Sequence, residues 1–435
     1  MYRMMNRMLR GYTKEEQGWI MYDWAYSAFA TIMLAAIFPI FFVEFAGGDG
    51  TSGSMWWAIG NGGSRLLLAI AAPLIGAMID YKGYKKRLFV LFLTFGILAH
   101  FFLAAQSSWQ FLLVGYIIAN IFWSASIFIY DSYLPDITTP DRMDEVSAAA
   151  YGWGYIGGST IPFVFSILLI FYGENFGIDE TLAVRISIVI TAVWWGVFSI
   201  PMIRDVHHKY GTEAPQRDFV KETVGNAIRA AKKIVKNKAL LFFILAYFFY
   251  IDGVGTVITM ATAYGAELNL PATGMIAALF MTQIVAFPCS ILFGKWSKKT
   301  NPLNLVLGAI VVYCFICVIG FFMGFGLEMF WFGTDEALIL FFVLAILVGT
   351  VQGGIQALSR SIYGRLIPPE QSGEYFGFFE VFSRFAAILG PFLYALVLST
   401  TGRASFSILS TVIIFFIGLT ILLIGRKHIA PELRG

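Results

Sequence analysis

The chain has 435 residues, of which 58% are hydrophobic and only 13% are charged. Soluble domains carry about 25% charged residues, so this composition excludes a soluble globule. The net charge of +3 gives no indication of nucleic-acid binding, and the three cysteines lie inside apolar runs, where neither a disulfide framework nor a zinc site is expected.

Apolar runs of membrane-spanning length recur along the whole chain. About 20 apolar residues cross a bilayer as an α-helix, and the runs lack the alternation of barrel strands. They cover residues 19–45, 55–79, 88–106, 109–133, 147–172, 183–203, 239–264, 273–294, 303–326, 337–358, 375–398 and 405–425. We therefore predict an all-α membrane protein with twelve transmembrane helices.

The Lys and Arg residues predict the orientation of the chain, since short cytoplasmic loops retain them. With both termini cytoplasmic, 26 of the 30 Lys and Arg residues lie on the inner side. Only Arg185 and Arg403 fall on the outer side, and Arg65 and Arg384 lie within runs. We therefore expect both termini in the cytoplasm.

One long connection divides six runs from six. Between residues 219 and 235, apolar residues recur at helical spacing and basic residues fill the other face, which predicts an amphipathic helix on the anionic inner leaflet. A plain tether between the halves is the alternative. We expect a cytoplasmic segment (1–18), a six-helix bundle (19–203), a basic amphipathic linker (204–238), a second six-helix bundle (239–425) and a cytoplasmic tail (426–435).

The two halves repeat. A shift of 229 residues superimposes five polar or proline positions of the first half on the second: Asp23 on Asp252, Pro140 on Pro369, Asp141 on Glu370, Glu145 on Glu374, and Pro162 on Pro391. Two parallel six-helix repeats are typical of transporters, with the substrate site expected between the halves near the middle of the bilayer.

The loop after the second run carries a motif with a physical role. Gly76 allows close helix contact, Asp80 can accept hydrogen bonds from a helix N-terminus, and Gly83 permits a tight turn before a basic cluster. This pattern resembles the GxxxDxxGxxK-type loop of the major facilitator superfamily, which helps to latch the cytoplasmic gate. Tyr81 and Tyr84 stand where basic residues are usual.

A narrower resemblance covers most of the chain. Its motifs are Tyr22-Asp23-Trp24-Ala25, Asp252-Gly253-Val254, Gly353-Gly354 with Gln356-Ala357-Leu358-Ser359-Arg360-Ser361, and Phe376-Gly377-Phe378 with Leu389-Gly390-Pro391. They resemble the "unknown major facilitator" family, related to fungal autophagy-linked vacuolar amino-acid effluxers. Tyr26 and Gly255 depart from that pattern, because the family usually has Asn there.

Charges within spans are costly, so they face a cavity or one another. Arg65 and Asp252 lie roughly 15 to 18 Å deep and are the first candidates for substrate binding or coupling. Arg65 would bind a carboxylate or phosphate, whereas Asp252 would bind a cationic group or carry a proton. A structural ion pair is the alternative for Arg65. The remaining candidates of this class are Asp23, Asn61, Trp153, Gln283 and Gln356.

A second set of charges lies at the inner ends of the runs and is assigned to the gate: Asp80, Asp131, Arg142, Arg360, Glu380 and Arg384. Asp131 and Arg360 occupy equivalent places in the two repeats and could close a gate by pairing. Glu380 and Arg384 are spaced i, i+4, so a local structural pair is the favoured interpretation for them. Glycines at 152, 154, 157 and 158 resemble a pattern of the superfamily's antiporters, with close helix packing as the alternative.

These observations predict a secondary active transporter of a small polar or zwitterionic solute such as an amino acid, with coupling to protons left open. Export of amphiphiles, drugs or lysolipids is the alternative, and a non-transporting membrane enzyme or sensor ranks last because the four histidines are scattered. We expect no cofactor, no metal and no nucleic-acid partner. The default is a monomer in a plasma or bacterial inner membrane.

Overall fold

The computed structural model describes residues 5, 7–46, 51–215 and 217–433. Within these ranges, twelve helices are long and apolar enough to cross a membrane, which confirms the predicted fold class. Arg3 and Arg434, two of the cations used to predict the orientation, lie outside the described residues. The cytoplasmic location of the termini stays a prediction.

The twelve helices are numbered as spans in chain order. Spans 1 to 6 are Lys14–Ala46, Gly53–Ile79, Tyr84–Ala104, Trp109–Ser132, Pro140–Phe176 and Glu180–Asp205. Spans 7 to 12 are Lys238–Glu267, Ala272–Ser297, Pro302–Glu328, Thr334–Leu366, Pro369–Thr401 and Ala404–Glu432. A shorter helix, Phe219–Lys236, precedes span 7 and is called the linker helix.

Polar residues at the predicted boundaries begin several spans. Thr13 and Glu16 form a reciprocal capping box at the start of span 1. Asp179, Asn237 and Asn301 accept hydrogen bonds from the first free backbone N–H groups of spans 6, 7 and 9. Such short polar side chains define where each apolar run becomes a helix.

The internal repeat is visible in local structure. Spans 5 and 11 both start with a short 3-10 helix, Pro140–Arg142 and Pro369–Gln371, at positions related by the predicted shift. Proline fits there because a residue in the first helical turn has no acceptor for its N–H, so the missing N–H of proline costs nothing.

Two spans of the first half change locally from an α-helix to a π-helix: span 1 over Ala30–Ala36 and span 5 over Gly154–Thr160.

The chain divides into two compact units that do not follow the sequence halves. Unit 1 comprises Met1–Thr139, Trp153–Ile228 and Pro368–Val381. Unit 2 comprises Pro140–Gly152, Arg229–Ile367 and Phe382–Gly435. Spans 5 and 11 each contribute their first part to one unit and their remainder to the other. The predicted domain boundaries stay predictions.

Aromatic residues fill the core of unit 1. The Trp19 and Tyr130 rings stack with centroids 4.4 Å apart, and the Phe29 and Trp123 rings stack at 4.5 Å. The buried Trp19 indole N–H donates to the Tyr130 carbonyl oxygen at 2.8 Å. These contacts hold span 1 against span 4 around the position of Asp23.

Large apolar side chains also cover the outer surfaces of the spans. Ile70, Phe165, Phe315 and Phe392 are each more than 60% exposed. Many exposed large apolar side chains are unfavourable in water and are normal on the lipid-facing surfaces of membrane helices.

Candidate functional sites

The loop between spans 2 and 3 binds the start of span 11 within unit 1. Asp80 is buried, and its two carboxyl oxygens accept hydrogen bonds from the backbone N–H groups of Gly373 at 2.7 Å and Glu374 at 2.8 Å. These are free donors of the first turn of the helix, where the helix dipole also favours an anion. Burial raises the pKa of Asp80 to about 8, against the lowering effects of Lys85 and of these hydrogen bonds.

Glycines make this contact possible. A Cβ added to Gly76 would overlap the carbonyl oxygen of Gly373, and a Cβ on Gly373 would lie 2.5 Å from the Gly76 oxygen. Gly83 adopts a φ of 82° at the turn into span 3, a conformation that favours glycine. The roles that the sequence predicted for Gly76, Asp80 and Gly83 are thus all visible as local contacts.

Lys85 forms a second, fully buried connection in the same place. Its ammonium group donates to Asp136 Oδ2 at 2.9 Å, to Ser372 Oγ at 2.9 Å and to the Ser132 carbonyl oxygen at 3.2 Å. The side chains of both charged partners have 0% exposure. Asp136 also accepts backbone N–H bonds from the segment that follows span 6. One ammonium group therefore connects the start of span 3 with the end of span 4 and the start of span 11, all within unit 1.

The two tyrosines that depart from the superfamily pattern have a clear structural role. The Tyr81 and Tyr84 rings both pack on Phe219, with centroids 5.4 and 5.7 Å away. The Tyr81 hydroxyl accepts a hydrogen bond from the Asn226 amide at 3.2 Å and lies 3.5 Å from Thr223 Oγ1. They seat the linker helix on the loop between spans 2 and 3.

Unit 2 contains a polar cluster at the start of span 5 and the end of span 10. Arg360 is 2% exposed, and its guanidinium donates to Ser147 Oγ at 2.9 Å and to the Ser147 carbonyl oxygen at 3.2 Å. The guanidinium also lies over the Tyr151 ring, 4.6 Å from its centroid. Such a cation over an aromatic face is attractive when both are desolvated.

Asp144 extends this cluster. Its carboxylate forms an ion pair with Arg365 and accepts a hydrogen bond from the Ser361 hydroxyl at 2.5 Å. The next residue, Glu145, pairs with Lys298 at 2.6 Å. The first turn of span 5 is therefore bound by charge to the ends of spans 8 and 10.

Asp252 lies near the middle of span 7 and is 1% exposed. Its Oδ1 accepts a hydrogen bond from the Gly390 backbone N–H at 3.0 Å, whereas its buried Oδ2 has no hydrogen-bond partner among the described residues. Gly390 approaches so closely that a Cβ there would overlap the Thr256 hydroxyl. A buried carboxyl oxygen without a donor is costly, which marks this position as a candidate for function.

Asp23, the equivalent of Asp252 in the first repeat, has a similar setting inside unit 1. Its carboxylate accepts hydrogen bonds from Ser27 at 3.2 Å and from the Tyr130 hydroxyl at 3.3 Å. Ser27 and Thr256 occupy equivalent positions, four residues after their aspartates. Gly154 packs against Asp23 just as Gly390 packs against Asp252.

The glycine pattern of span 5 serves close packing in the structure. A Cβ on Gly157 would overlap the Trp24 ring, and a Cβ on Gly158 would lie 2.5 Å from the Trp24 carbonyl oxygen. Trp153 also lies beside Trp24, with ring centroids 6.1 Å apart. The packing interpretation of these glycines therefore has direct structural support.

The remaining predicted residues fall into separate local environments. Asn61 accepts a hydrogen bond from Tyr116 at 3.1 Å, a contact between spans 2 and 4. Gln283 lines an apolar cavity of about 90 Å³ in unit 2, and the Gln356 amide donates to the Gln352 carbonyl oxygen at 3.1 Å. The other candidates all lie within the described spans and are Arg65, Asp131, Arg142, Glu380 and Arg384. The pairings proposed for Asp131 with Arg360 and for Glu380 with Arg384 stay predictions.

The sequence alone does not predict that Lys85, Asp136 and Asp144 are buried, or that Arg365, whose side chain is 12% exposed, pairs with Asp144. Lys85 and Arg365 were used only as markers of the inner side. The sequence does place an acid, Asp136 or Asp144, near an inner span end in each case. Because a buried charge needs a partner of opposite sign, these acids could have indicated the two pairs.

The twelve-span helical fold is that of the major facilitator superfamily. The human organic anion transporter MFSD10 (TETRAN) shares the fold, with a TM-score of 0.69 at 13% identity over 94% of this chain and 99% of that one. The transporter FucP in its outward conformation gives 0.69 at 12% identity, covering 95% and 99%.

Sequence comparison identifies the family. Residues 43–428 match the family described as "Vacuole effluxer Atg22 like", and the chain belongs to that family. It is 39% identical over 424 residues to the uncharacterized MFS-type transporter YxiO of Bacillus subtilis, covering 95% of both chains. Autophagy-related protein 22 of Botryotinia fuckeliana is 25% identical over 62% of this chain and 48% of its own length. The chain is a transporter and not an enzyme.

Proposed function

We propose that this transporter works by alternating access and moves a small polar or zwitterionic solute, such as an amino acid, in exchange for or together with protons. The observation that supports this most is Asp252. A buried carboxyl near mid-span, with one oxygen lacking a donor, can hold a proton in one state and bind a cationic group in another. Membership of a family described as vacuole effluxers also supports the transport of a solute across a membrane.

The test is transport by the reconstituted protein. Proteoliposomes would be screened with radiolabelled amino acids under an imposed proton gradient, after a thermal-shift screen of metabolites has narrowed the choice. Asp252→Asn keeps the acceptor for the Gly390 N–H but cannot ionise. We expect this variant to lose gradient-driven accumulation and to retain exchange of labelled for unlabelled solute.

Asp23→Asn is the matched control, because Asp23 occupies the equivalent place in the other repeat and its carboxylate is hydrogen-bonded. We expect its response to the gradient to persist. Uptake that ignores the gradient and survives Asp252→Asn would reject proton coupling through this residue. Arg65→Gln is tested separately. We expect this variant to lose affinity for anionic and zwitterionic solutes and to keep its affinity for solutes without a negative group.

We also propose that the clusters around Asp80 and Arg360 act as a gate. Each joins a helix start to neighbouring span ends by several buried hydrogen bonds, so the helix start cannot move away without breaking them together. Asp131, Arg142, Glu380 and Arg384 are assigned to the same gate. Accessibility of engineered cysteines near these clusters to a membrane-impermeant maleimide, with and without solute, tests this assignment.

The gate is proposed to face the cytoplasm of a plasma or bacterial inner membrane, with both termini on that side and the protein a monomer. The distribution of Lys and Arg supports the orientation. Fusions of a reporter active only in the cytoplasm to either terminus would test it. An inactive reporter at both ends would reverse the assignment.

Export of amphiphiles is the second candidate function. The cavity of about 90 Å³ in unit 2 favours it, since its lining is apolar apart from Gln283, Gln352 and a few hydroxyl groups. A cavity of this size holds an alkyl end or a ring, not a whole drug-sized molecule. Inhibition of amino-acid uptake by lysolipids without their own transport would count against this alternative.

A further inference from the structure

The linker helix presents three faces, whereas a simple amphipathic helix has two. One face is buried against the protein and carries Thr223, Ala227, Ala230 and Ile234, each at most 6% exposed. These residues recur at spacings of three and four, the spacing of a single helix face. This face alone packs the linker helix against the rest of the protein, so the other faces of the helix are not needed for that packing.

A second face is apolar and yet exposed. Val220, Val224, Ile228 and Val235 are 74%, 38%, 51% and 64% exposed, and we call them the apolar stripe. The first three follow one another every four residues, and the fourth is seven residues further on, so all four lie on one side of the helix. Branched apolar side chains in such a row are unfavourable in water.

The helix cannot rotate to bury this stripe. Phe219 is held between the Tyr81 and Tyr84 rings, and Asn226 donates to the Tyr81 hydroxyl. These contacts fix the first half of the helix on the loop between spans 2 and 3. The exposure of the stripe is consequently a fixed property of the docked helix.

The third face is basic and borders the stripe. At about 100° per residue, Lys221 and Lys232 project from the edge of the helix next to the stripe, and both are exposed. The helix contains five Lys or Arg residues and one acid, Glu222. An exposed apolar row with lysines along its edge matches the boundary between acyl chains and anionic headgroups, because lysine stems can follow the apolar surface and place the ammonium group among phosphates.

The position of the helix in the chain favours a lipid surface over a protein partner. The helix ends at Lys236, Asn237 caps the next helix, and span 7 begins at Lys238. The last turn, which includes Val235, is therefore within a few residues of the bilayer entry of span 7. We propose that the apolar stripe and its bordering lysines bind the anionic lipid surface from which span 7 enters the membrane.

The test uses the full chain in nanodiscs with its three cysteines replaced by serine and one cysteine added for a nitroxide label. One label stands at Ile228→Cys in the stripe, and the matched label stands at Lys233→Cys, which projects from the opposite side and is exposed. In discs containing about one third phosphatidylglycerol, we expect accessibility of the Ile228 label to a water-soluble nickel chelate to fall about fivefold below that of the Lys233 label.

In neutral phosphatidylcholine discs, and for the variant Lys221→Gln/Lys232→Gln in anionic discs, we expect most of this roughly fivefold protection to be lost, because the lysines no longer meet anionic headgroups. Thermal unfolding of each variant shows that the fold is kept. Equal chelate access at the two label positions in anionic discs would overturn the proposal. Protection accompanied by spin–spin broadening between labels would overturn it in favour of a second copy of the chain, and protection independent of lipid charge would overturn the role of the lysines.

Discussion

Replacing Lys85 with methionine is the most informative single change in unit 1. Methionine keeps the length of the side chain and removes the ammonium group that binds Asp136, Ser372 and the Ser132 carbonyl oxygen. Because both charged side chains are completely buried, no water can replace the lost partner. The Asp136 carboxylate would be left without its counter-charge in a desolvated place.

The expected loss of stability follows from this burial. Breaking a buried ion pair by removing one partner costs about 3 to 5 kcal/mol, because an uncompensated charge stays inside. For a unit of roughly 200 residues, each kcal/mol lowers Tm by about 2 to 4 °C. Lys85→Met is therefore expected to lower Tm by about 6 to 20 °C.

Lys82→Met is the matched control in the same loop. Lys82 also pairs with an acid, Glu213, at 2.6 Å, but the two side chains are 62% and 81% exposed. Exposed pairs contribute about 0 to 1 kcal/mol, so this variant should hardly shift Tm. The double variant Lys85→Met/Asp136→Asn removes the orphan charge and keeps an acceptor for the two backbone N–H groups, so it should recover part of the loss.

The measurement is thermal unfolding of purified protein in one detergent at one scan rate, followed by intrinsic tryptophan fluorescence. A fixed scan rate matters because irreversible unfolding makes Tm rate-dependent. A Tm for Lys85→Met equal to that of Lys82→Met would refute the reasoning. So would a double variant that is less stable by the sum of the two single changes, since this would show no coupling between the two charges.

Three further predictions use the same assay. Gly157→Ala places a methyl group where the Trp24 ring packs and should lower the free energy of unfolding by about 1 to 3 kcal/mol. Gly62→Ala is the control, since the space around Gly62 is open, and it should be neutral or stabilising. Equal Tm values for the two variants would contradict the packing argument. Arg365→Gln should lower Tm because the buried Asp144 carboxylate loses its charged partner, and Asp144→Asn in the same chain should restore part of the loss. Failure of that rescue would exclude the ion pair as the cause. Burial, together with the charge of Lys85, lowers the pKa of His208 from 6.5 to about 4, so the folded state favours the neutral imidazole. The unfolded chain binds a proton first as the pH falls, so the folded protein loses stability between pH 6.5 and pH 4. The Tm of His208→Gln should therefore fall less than the Tm of the parent between about pH 7 and pH 5, and an equal fall would refute this.

The twelve spans and the internal repeat could be predicted because they depend on properties that each segment carries by itself. An apolar run of sufficient length must form a helix in lipid, since its backbone groups have no other partners there. The loop motif is also local, because an acid three residues before a glycine turn is placed where it can accept hydrogen bonds from the start of a neighbouring helix. Asp80 makes these hydrogen bonds.

Burial of individual charges could not be predicted in the same way. Lys82 and Lys85 stand three residues apart in one basic cluster, yet one is mostly exposed and the other completely buried. Tyr81 and Tyr84 looked like departures from a motif, and only their contact with Phe219 gives them a role. These outcomes depend on residues that are distant in the chain.

Hydropathy and residue spacing along the chain are enough to predict a membrane protein with an internal six-helix repeat, and to select its few intramembrane charges as candidate functional residues. The pairing of these charges is seen in the folded protein alone: Lys85 pairs with Asp136, and Asp144 pairs with Arg365. Asp252 keeps one buried carboxyl oxygen that has no hydrogen-bond partner among the described residues. The physical reason is that hydropathy is a property of a segment, whereas desolvation and pairing of a charge are set by what folding brings next to it.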